Sequence, residues 1–188
     1  MTIYTLFPVQ ILVRDVTAAQ RQQIDQQIQS RFHDLEFHSD QARHMVRTTY
    51  NNHRVNDIAD QDLSALAEII TESANHYAAS QNSREPLVLF ESWFNCYDTG
   101  GYMSDHEHPG CRVSGIYYLQ AEEGSGDLWF RNPNPLMLNH IWPSNSQPTL
   151  SAERVPAQTG RLILFPGWLT HSVSTCKGTK ISIAFNLR

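Results

Sequence analysis

The sequence predicts an α+β fold, with helices first and a mostly antiparallel, strand-rich half after them. Three features predict it. Apolar residues recur at helical spacing in two stretches before residue 86. From residue 87 onward the apolar runs shorten to strand length and Gly and Pro punctuate them. No internal repeat is visible. At 188 residues the chain fits one domain with ample length for a core. Residues 1–86 would supply an N-terminal strand and supporting helices, and residues 87–188 the β-rich core.

Taken in order, residues 3–13 are apolar and β-branched around Pro8, which reads as an edge or entry strand. Thr17 has the chemistry of a helix N-cap. Ile24, Ile28 and Phe32 then recur at steps of four, so a helix over 18–32 would bury one stripe and leave its Gln-rich face in water. Residues 33–59 are polar and carry no clear period; His33, His38, His44 and His53 lie in or near it without ligand spacing. Asp60 or Asp62 is placed to start a second helix over 63–81, with Leu63, Leu66, Ile69, Ile70, Ala74 and Tyr77 as its buried stripe. His76 on that helix reads as a packing or surface residue.

Pro86 closes the helical region. Strands are expected over 87–97, 113–119, 127–131, 160–165, 171–173 and 180–187. Gly100-Gly101, Pro109-Gly110, Gly124-Ser125-Gly126 and Pro166-Gly167 break the chain between them. Leu128 and Phe130 should share one face and Trp129 the other. Residues 132–153 are rich in Asn and Pro, long for a loop, and embed Leu136, Met137, Ile141 and Trp142; His140 in it reads as exposed.

Composition narrows the function. A net charge of -5 gives no basic footprint for nucleic acid. Runs such as Leu162-Ile163-Leu164-Phe165 are too short to cross a bilayer, so no membrane partner is expected. The first residues lack a basic segment followed by an apolar one, so no signal peptide is expected. Cys96, Cys111 and Cys176 are odd in number and scattered, which fits thiols in a reducing, cytoplasmic compartment.

The chemistry concentrates in Asp105-His106-Glu107-His108 and in His171. In an extended chain His106 and His108 leave the same face, and His171 comes from a second strand. Three neutral imidazoles suit one divalent transition metal, and a site with three protein ligands keeps positions open for chemistry. Lys180 and Ser182 alternate with period two on the last strand, and a cation beside a hydroxyl suits a carboxylate. Tyr118 offers a phenolic hydroxyl for the same purpose. Trp93, Asn95, Tyr97 and Arg112 are candidates to line the pocket, although Trp93 and Tyr97 also suit a sheet core and Arg112 a surface pair with Glu107 or Glu91.

Residues 87–188 resemble the Fe(II)/2-oxoglutarate-dependent oxygenases, and especially the branch related to prolyl hydroxylases. The resemblance is carried by Ser92-Trp93-Phe94-Asn95, His106-Glu107-His108, Ser114-Gly115-Ile116-Tyr117-Tyr118-Leu119, Gly126-Asp127-Leu128-Trp129-Phe130, Gly160-Arg161-Leu162-Ile163-Leu164-Phe165-Pro166, His171-Ser172-Val173 and Lys180-Ile181-Ser182-Ile183-Ala184-Phe185-Asn186, in that order. It implies a double-stranded β-helix, or jelly roll, supported by the N-terminal helices. It implies iron(II) held by His106 and His171, and 2-oxoglutarate gripped by Lys180 with help from Ser182 and Tyr118. Lys180 stands where the family usually has arginine, which keeps the charge and loses the bidentate fork.

The second ligand departs from the family, which has Asp or Glu where this chain has His108. Three readings stay open. His108 ligates and completes a three-His site; or Glu107 or Asp105 turns in, which needs a bulge; or the fold serves only for binding. Strand alternation favours the first. The activity implied is a hydroxylase that couples oxidative decarboxylation of 2-oxoglutarate to C–H oxidation, with dioxygen as cosubstrate and a peptide or protein side chain as the favoured substrate. The competing functions are a non-catalytic or zinc-binding cupin-like module, and an interaction protein that presents Met137 and Trp142.

Overall fold

The computed structural model describes residues 1–2, 8–39, 45–50, 55–134 and 151–188. Of the strand expected over 3–13, only Leu12 and Val13 fall in a strand, β1, Leu12–Asp15; residues 8–11 are not strand, and residues 3–7 lie outside the described residues. Helix α1 spans Ala18–Gln29 and opens on the expected cap. The Thr17 hydroxyl accepts from Gln20 N at 3.2 Å, and the Gln20 side chain takes the Thr17 N–H at 3.0 Å, so two otherwise unpaired donors are satisfied. A short 3₁₀ turn over Phe32–Asp34 follows, in place of a continuous helix to residue 32. Strands β2, His38–Ser39, and β3, Val46–Thr48, fall in the polar stretch that carried no period.

A single turn, α2, spans Asp57–Asp60, and the long helix α3 spans Ser64–Ser80. Neither Asp60 nor Asp62 caps α3. Its N-cap is Leu63, and Asp62 turns the chain at a φ of 51°. His76 is exposed on this helix. The remaining strands are β4 (Leu89–Tyr97), β5 (Met103–His106), β6 (Val113–Ala121), β7 (Leu128–Arg131), β8 (Ala152–Val155), β9 (Arg161–Pro166), β10 (His171–Val173) and β11 (Lys180–Leu187).

These strands form two antiparallel sheets. One has seven strands in the order β1-β9-β6-β11-β4-β3-β2, and the other four in the order β5-β10-β7-β8. They face each other as a jelly-roll sandwich. Alternation along the large sheet explains why its central strands read as unbroken apolar runs: both faces are buried. Leu162, Leu164, Tyr117, Ile183 and Phe185 point outward to Ile24 and Ile28 of α1 and to Leu66, Ile70 and Tyr77 of α3. Ile163, Phe165, Ile116, Tyr118 and Tyr97 point inward and meet Leu128, Phe130 and Val173 of the small sheet. Each of these fully buried side chains contributes roughly 1.5–3 kcal/mol.

Gly115 marks the closest contact in the outer layer. A Cβ there would run into the Phe185 ring and come within 2.8 Å of Leu164 Cδ2. Sheet β11 thus keeps one face for the helices and the other for the space between the sheets, where Lys180, Ser182, Ala184 and Asn186 stand in a row.

Candidate metal centre and cosubstrate pocket

The small sheet carries the histidines. Strands β5 and β10 pair antiparallel with His106 directly opposite His171, and Phe130 of β7 flanks His171 on the other side. Strand β5 ends at His106, so His108 does not reach the site by strand alternation. A turn carries it in: His108 N donates to Gly167 O at 2.8 Å, and its carbonyl accepts from Cys111 N at 3.3 Å. The ring then stacks on Trp93, with centroids 5.9 Å apart, and runs nearly parallel to His171 at 5.1 Å. Ligand atoms of all three histidines lie within 4.8 Å of one another.

Their second nitrogens are already committed. Nδ1 of His106 lies 2.8 Å from Ser104 O, and Nδ1 of His171 lies 2.8 Å from Leu169 O. A carbonyl only accepts, so each Nδ1 carries the proton and each Nε2 presents a lone pair. Burial, then repulsion from His106, pushes the His171 pKa down to about 3, against a smaller opposing pull from the Leu169 carbonyl. His171 is therefore a neutral imidazole, the form that binds a metal. Phe165 packs edge-on against it, with centroids 4.6 Å apart.

Both neighbouring carboxylates are occupied elsewhere. Asp105 takes Arg131 Nε at 2.9 and 3.1 Å, and that bond holds its carboxyl below the usual range. Glu107 accepts from Thr170 Oγ1 at 2.5 Å. Neither belongs to the histidine cluster. Arg112 pairs with Glu85 rather than with Glu107 or Glu91.

Lys180, Ser182 and Tyr118 come together in the deepest part of the sandwich. Ser182 stands opposite both Tyr118 and Asn95 in the sheet register. Lys180 is 1% exposed; its Nζ donates to Gly126 O at 2.8 Å and lies 4.4 Å from the Tyr97 ring centroid. Burial lowers its pKa to about 8, and the nearby Cys176 and Asp127 resist that fall. Among the described residues, the buried side-chain atoms with no hydrogen-bond partner are the hydroxyls of Tyr118, Ser125 and Ser182. The Tyr118 ring centroid lies 5.9 Å from the Lys180 ammonium, Ser182 shares the inward face of β11 with Lys180, and Ser125 adjoins Gly126 and takes the Cys176 thiol on its carbonyl at 2.6 Å. Three unpaired hydroxyl donors around a buried cation match the chemistry of a bound carboxylate. Sequence reasoning missed Ser125 because Gly124-Ser125-Gly126 reads only as a turn.

A cavity of about 520 Å³ opens between the sheets over the histidines. Its walls include Trp93, Asn95, Tyr97, Glu107, Cys111 and Asn186. Lys180, Ser182 and Tyr118 are not part of that lining; the Lys180 ammonium lies against the ring of Tyr97, which is. The loop expected over 132–153, including Met137, His140 and Trp142, falls mostly outside the described residues.

A jelly roll with two imidazoles from one sheet and a third from the turn after it, and a buried lysine facing the same interior, defines a metal-dependent enzyme of the cupin-like architecture. Comparison with known families makes this specific. The family model described as "Putative 2OG-Fe(II) oxygenase" matches residues 91–186, and the chain belongs to that family. Its metal and cosubstrate are accordingly iron(II) and 2-oxoglutarate. No curated protein matches the chain.

Among solved structures, a prolyl hydroxylase from Trichoplax adhaerens, in complex with a hypoxia inducible factor oxygen degradation domain peptide, is 13% identical with a TM-score of 0.65, over 94% of this chain and 82% of that one. A Pseudomonas putida prolyl-4-hydroxylase is 15% identical with a TM-score of 0.62, over 96% and 92%. HygX from Streptomyces hygroscopicus, with nickel, 2-oxoglutarate and hygromycin B bound, is 12% identical with a TM-score of 0.59, over 95% and 82%. These likenesses are likenesses of fold. Among the described residues no helix is long and apolar enough to cross a membrane.

Proposed function

We propose that the chain is one oxygenase domain that hydroxylates its substrate, with iron(II) held by His106, His108 and His171 and 2-oxoglutarate anchored by Lys180, Tyr118 and Ser182. The observation that carries this reading is the cluster of imidazole nitrogens within 4.8 Å, backed by unpaired hydroxyls around a buried lysine. When bound, the metal and keto acid supply dioxygen activation, coupling decarboxylation to oxidation of a substrate C–H bond.

The protein's own part is position, charge and dryness. The Ser104 and Leu169 carbonyls fix the ring tautomers and aim two Nε2 lone pairs at one point. Phe130 and Phe165 wall off His171 from water. Lys180 donates to Gly126 O, also hydrogen-bonds Cys176, and has a further donor for the distal carboxylate. Tyr118, Ser182 and Ser125 each add a hydroxyl that gains its first partner when the carboxylate arrives.

Anaerobic titration with iron(II) and then 2-oxoglutarate tests this. A weak visible charge-transfer band should appear with wild-type protein and be lost in His171→Ala. Succinate should then form from 2-oxoglutarate in air. Absence of binding by either component would sink the reading. A zinc-binding module is the second reading, because three neutral imidazoles with no carboxylate also suit zinc. Tightly held zinc by elemental analysis, with no succinate formed, would favour it.

A further inference from the structure

One carboxylate in the cavity is braced by neighbouring side chains and, among the described residues, is in no ion pair. Glu91 of β4 stands opposite Asn186 of β11, which stands opposite Ser114 of β6. Ser114 Oγ donates to Asn186 Oδ1 at 2.8 Å, and Asn186 Nδ2 donates to Glu91 Oε2 at 2.7 Å. Ser114 and Asn186 are buried, so this relay across three strands fixes the carboxylate from behind. Glu91 itself is half-buried and lines the cavity.

Of the neighbouring arginines none reaches Glu91, although Arg188 lines the same cavity. Arg112 pairs with Glu85 and Arg131 with Asp105, while the Arg188 guanidinium lies over the Phe90 ring at 5.0 Å. Among the described residues no ion pair includes Glu91. Its field reaches the interior: after burial itself, Glu91 is what holds the Cys111 thiol above its ordinary pKa. Aromatic rings share its cavity. Tyr50, Phe90 and Trp93 line the same cavity, and Tyr50 and Trp93 pack with centroids 5.1 Å apart.

A buttressed, unneutralised carboxylate beside aromatic rings recognises an organic cation. We propose that Glu91 is the substrate-recognition residue and that the substrate carries an alkylammonium or guanidinium group. This rests on the oxygenase reading for where the chemistry happens. Trp93, two residues along β4 from Glu91, stacks on His108, so the anchor sits roughly 7 Å along the strand from the ring covering that histidine. The carbon presented to the metal is then a few bonds from the cationic nitrogen, as in a lysine or arginine side chain.

The test uses N-acetyl-lysine methylamide, N-acetyl-arginine methylamide and, as a neutral control, N-acetyl-norleucine methylamide. Binding is followed by tryptophan fluorescence on metal-free protein and, separately, by perturbation of the charge-transfer band on anaerobic protein loaded with iron(II) and 2-oxoglutarate. At least one cationic probe should bind about tenfold or more tightly than norleucine, and Glu91→Gln, which preserves an acceptor for Asn186, should erase the preference. Equal affinity for norleucine, no binding of any probe, or a preference that survives Glu91→Gln would overturn the proposal. Failure of the band to form would overturn the oxygenase reading instead, and the fluorescence titration would still decide the cation preference.

Discussion

Lys180→Met gives the most direct handle on the cosubstrate pocket, because the buried ammonium leaves a signature in stability as well as in binding. Its pKa falls from 10.5 to about 8, chiefly through burial. At 1.36 kcal/mol per pKa unit, holding that charge costs the folded state about 3 kcal/mol at neutral pH. The sign follows from proton counts. Between about 8 and 10.5 the unfolded chain keeps the lysine proton and the folded chain has released it, so stability rises with pH across that window. From pH 7 to 10 the gain is about 2–3 kcal/mol.

Tyr and Cys residues also titrate above pH 9, with burial holding Tyr77 up at about 12 and Cys96 at about 11. They are present in both proteins and cancel in the wild-type-minus-variant difference; Cys176, which hydrogen-bonds Lys180, does not, so both proteins carry Cys176→Ser in this comparison. Urea unfolding of wild type and Lys180→Met at pH 7, 8, 9 and 10 supplies that difference, with extrapolated stabilities compared at each pH. Wild type should gain on the variant by about 2–3 kcal/mol over the series. A difference that stays flat would mean Lys180 is hydrated or paired in solution, and the argument for a buried cation waiting on a carboxylate would fail. In parallel, 2-oxoglutarate affinity should hold steady below pH 8 and fall about tenfold per unit above it, as the ammonium loses its proton.

Other outcomes follow from the same geometry. Tyr118→Phe and Ser182→Ala remove hydroxyls that have no partner in the protein, so urea unfolding should show unchanged or slightly raised stability. The KM for 2-oxoglutarate should meanwhile rise about 10- to 100-fold in steady-state assays of succinate formation. Replacing His106, His108 or His171 singly by Ala should lower iron content after reconstitution, measured by elemental analysis; full retention in His108→Ala would remove that residue from the ligand set. Gly115→Ala should destabilise the fold by about 3 kcal/mol or more, read as a lower Tm, since the new methyl meets Phe185 and Leu164 in the packed outer layer.

Short apolar runs between Gly and Pro breaks made the large sheet legible in sequence, and period-two spacing the lysine-serine pair. Lys180, Ser182 and the alternating Ile181 and Ile183 occupy opposite faces of β11 as expected. His108 was legible for a different reason than the one that brings it in. Alternation placed it beside His106, but β5 stops at His106 and a turn anchored on Gly167 O delivers the ring. Short elements without a period, such as β2 and β3, could not be read, because two or three residues carry no pattern to detect. The start of α3 was misread because Leu63 is a buried core residue at a cap position that Asp usually fills by hydrogen bonding. Ser125 and Glu91 escaped notice because burial and the hydrogen bonds across strands, rather than neighbours in sequence, give them their roles.

The strand pair β11–β4 links these features along one axis. Reading β11 inward face by inward face gives Lys180, Ser182, Ala184 and Asn186, opposite Tyr97, Asn95, Trp93 and Glu91. The row places a cation at one end and a braced carboxylate at the other, roughly 20 Å apart in an extended strand. Ala184, the smallest of the four side chains, stands between them and lines the cavity over the histidines. A slip of one residue would send the whole row outward against the helices and bring Ile181, Ile183 and Phe185 into the cavity. The hydrophobic outer face therefore enforces the register, so packing against α1 and α3 sets the distance between the buried ammonium and the braced carboxylate.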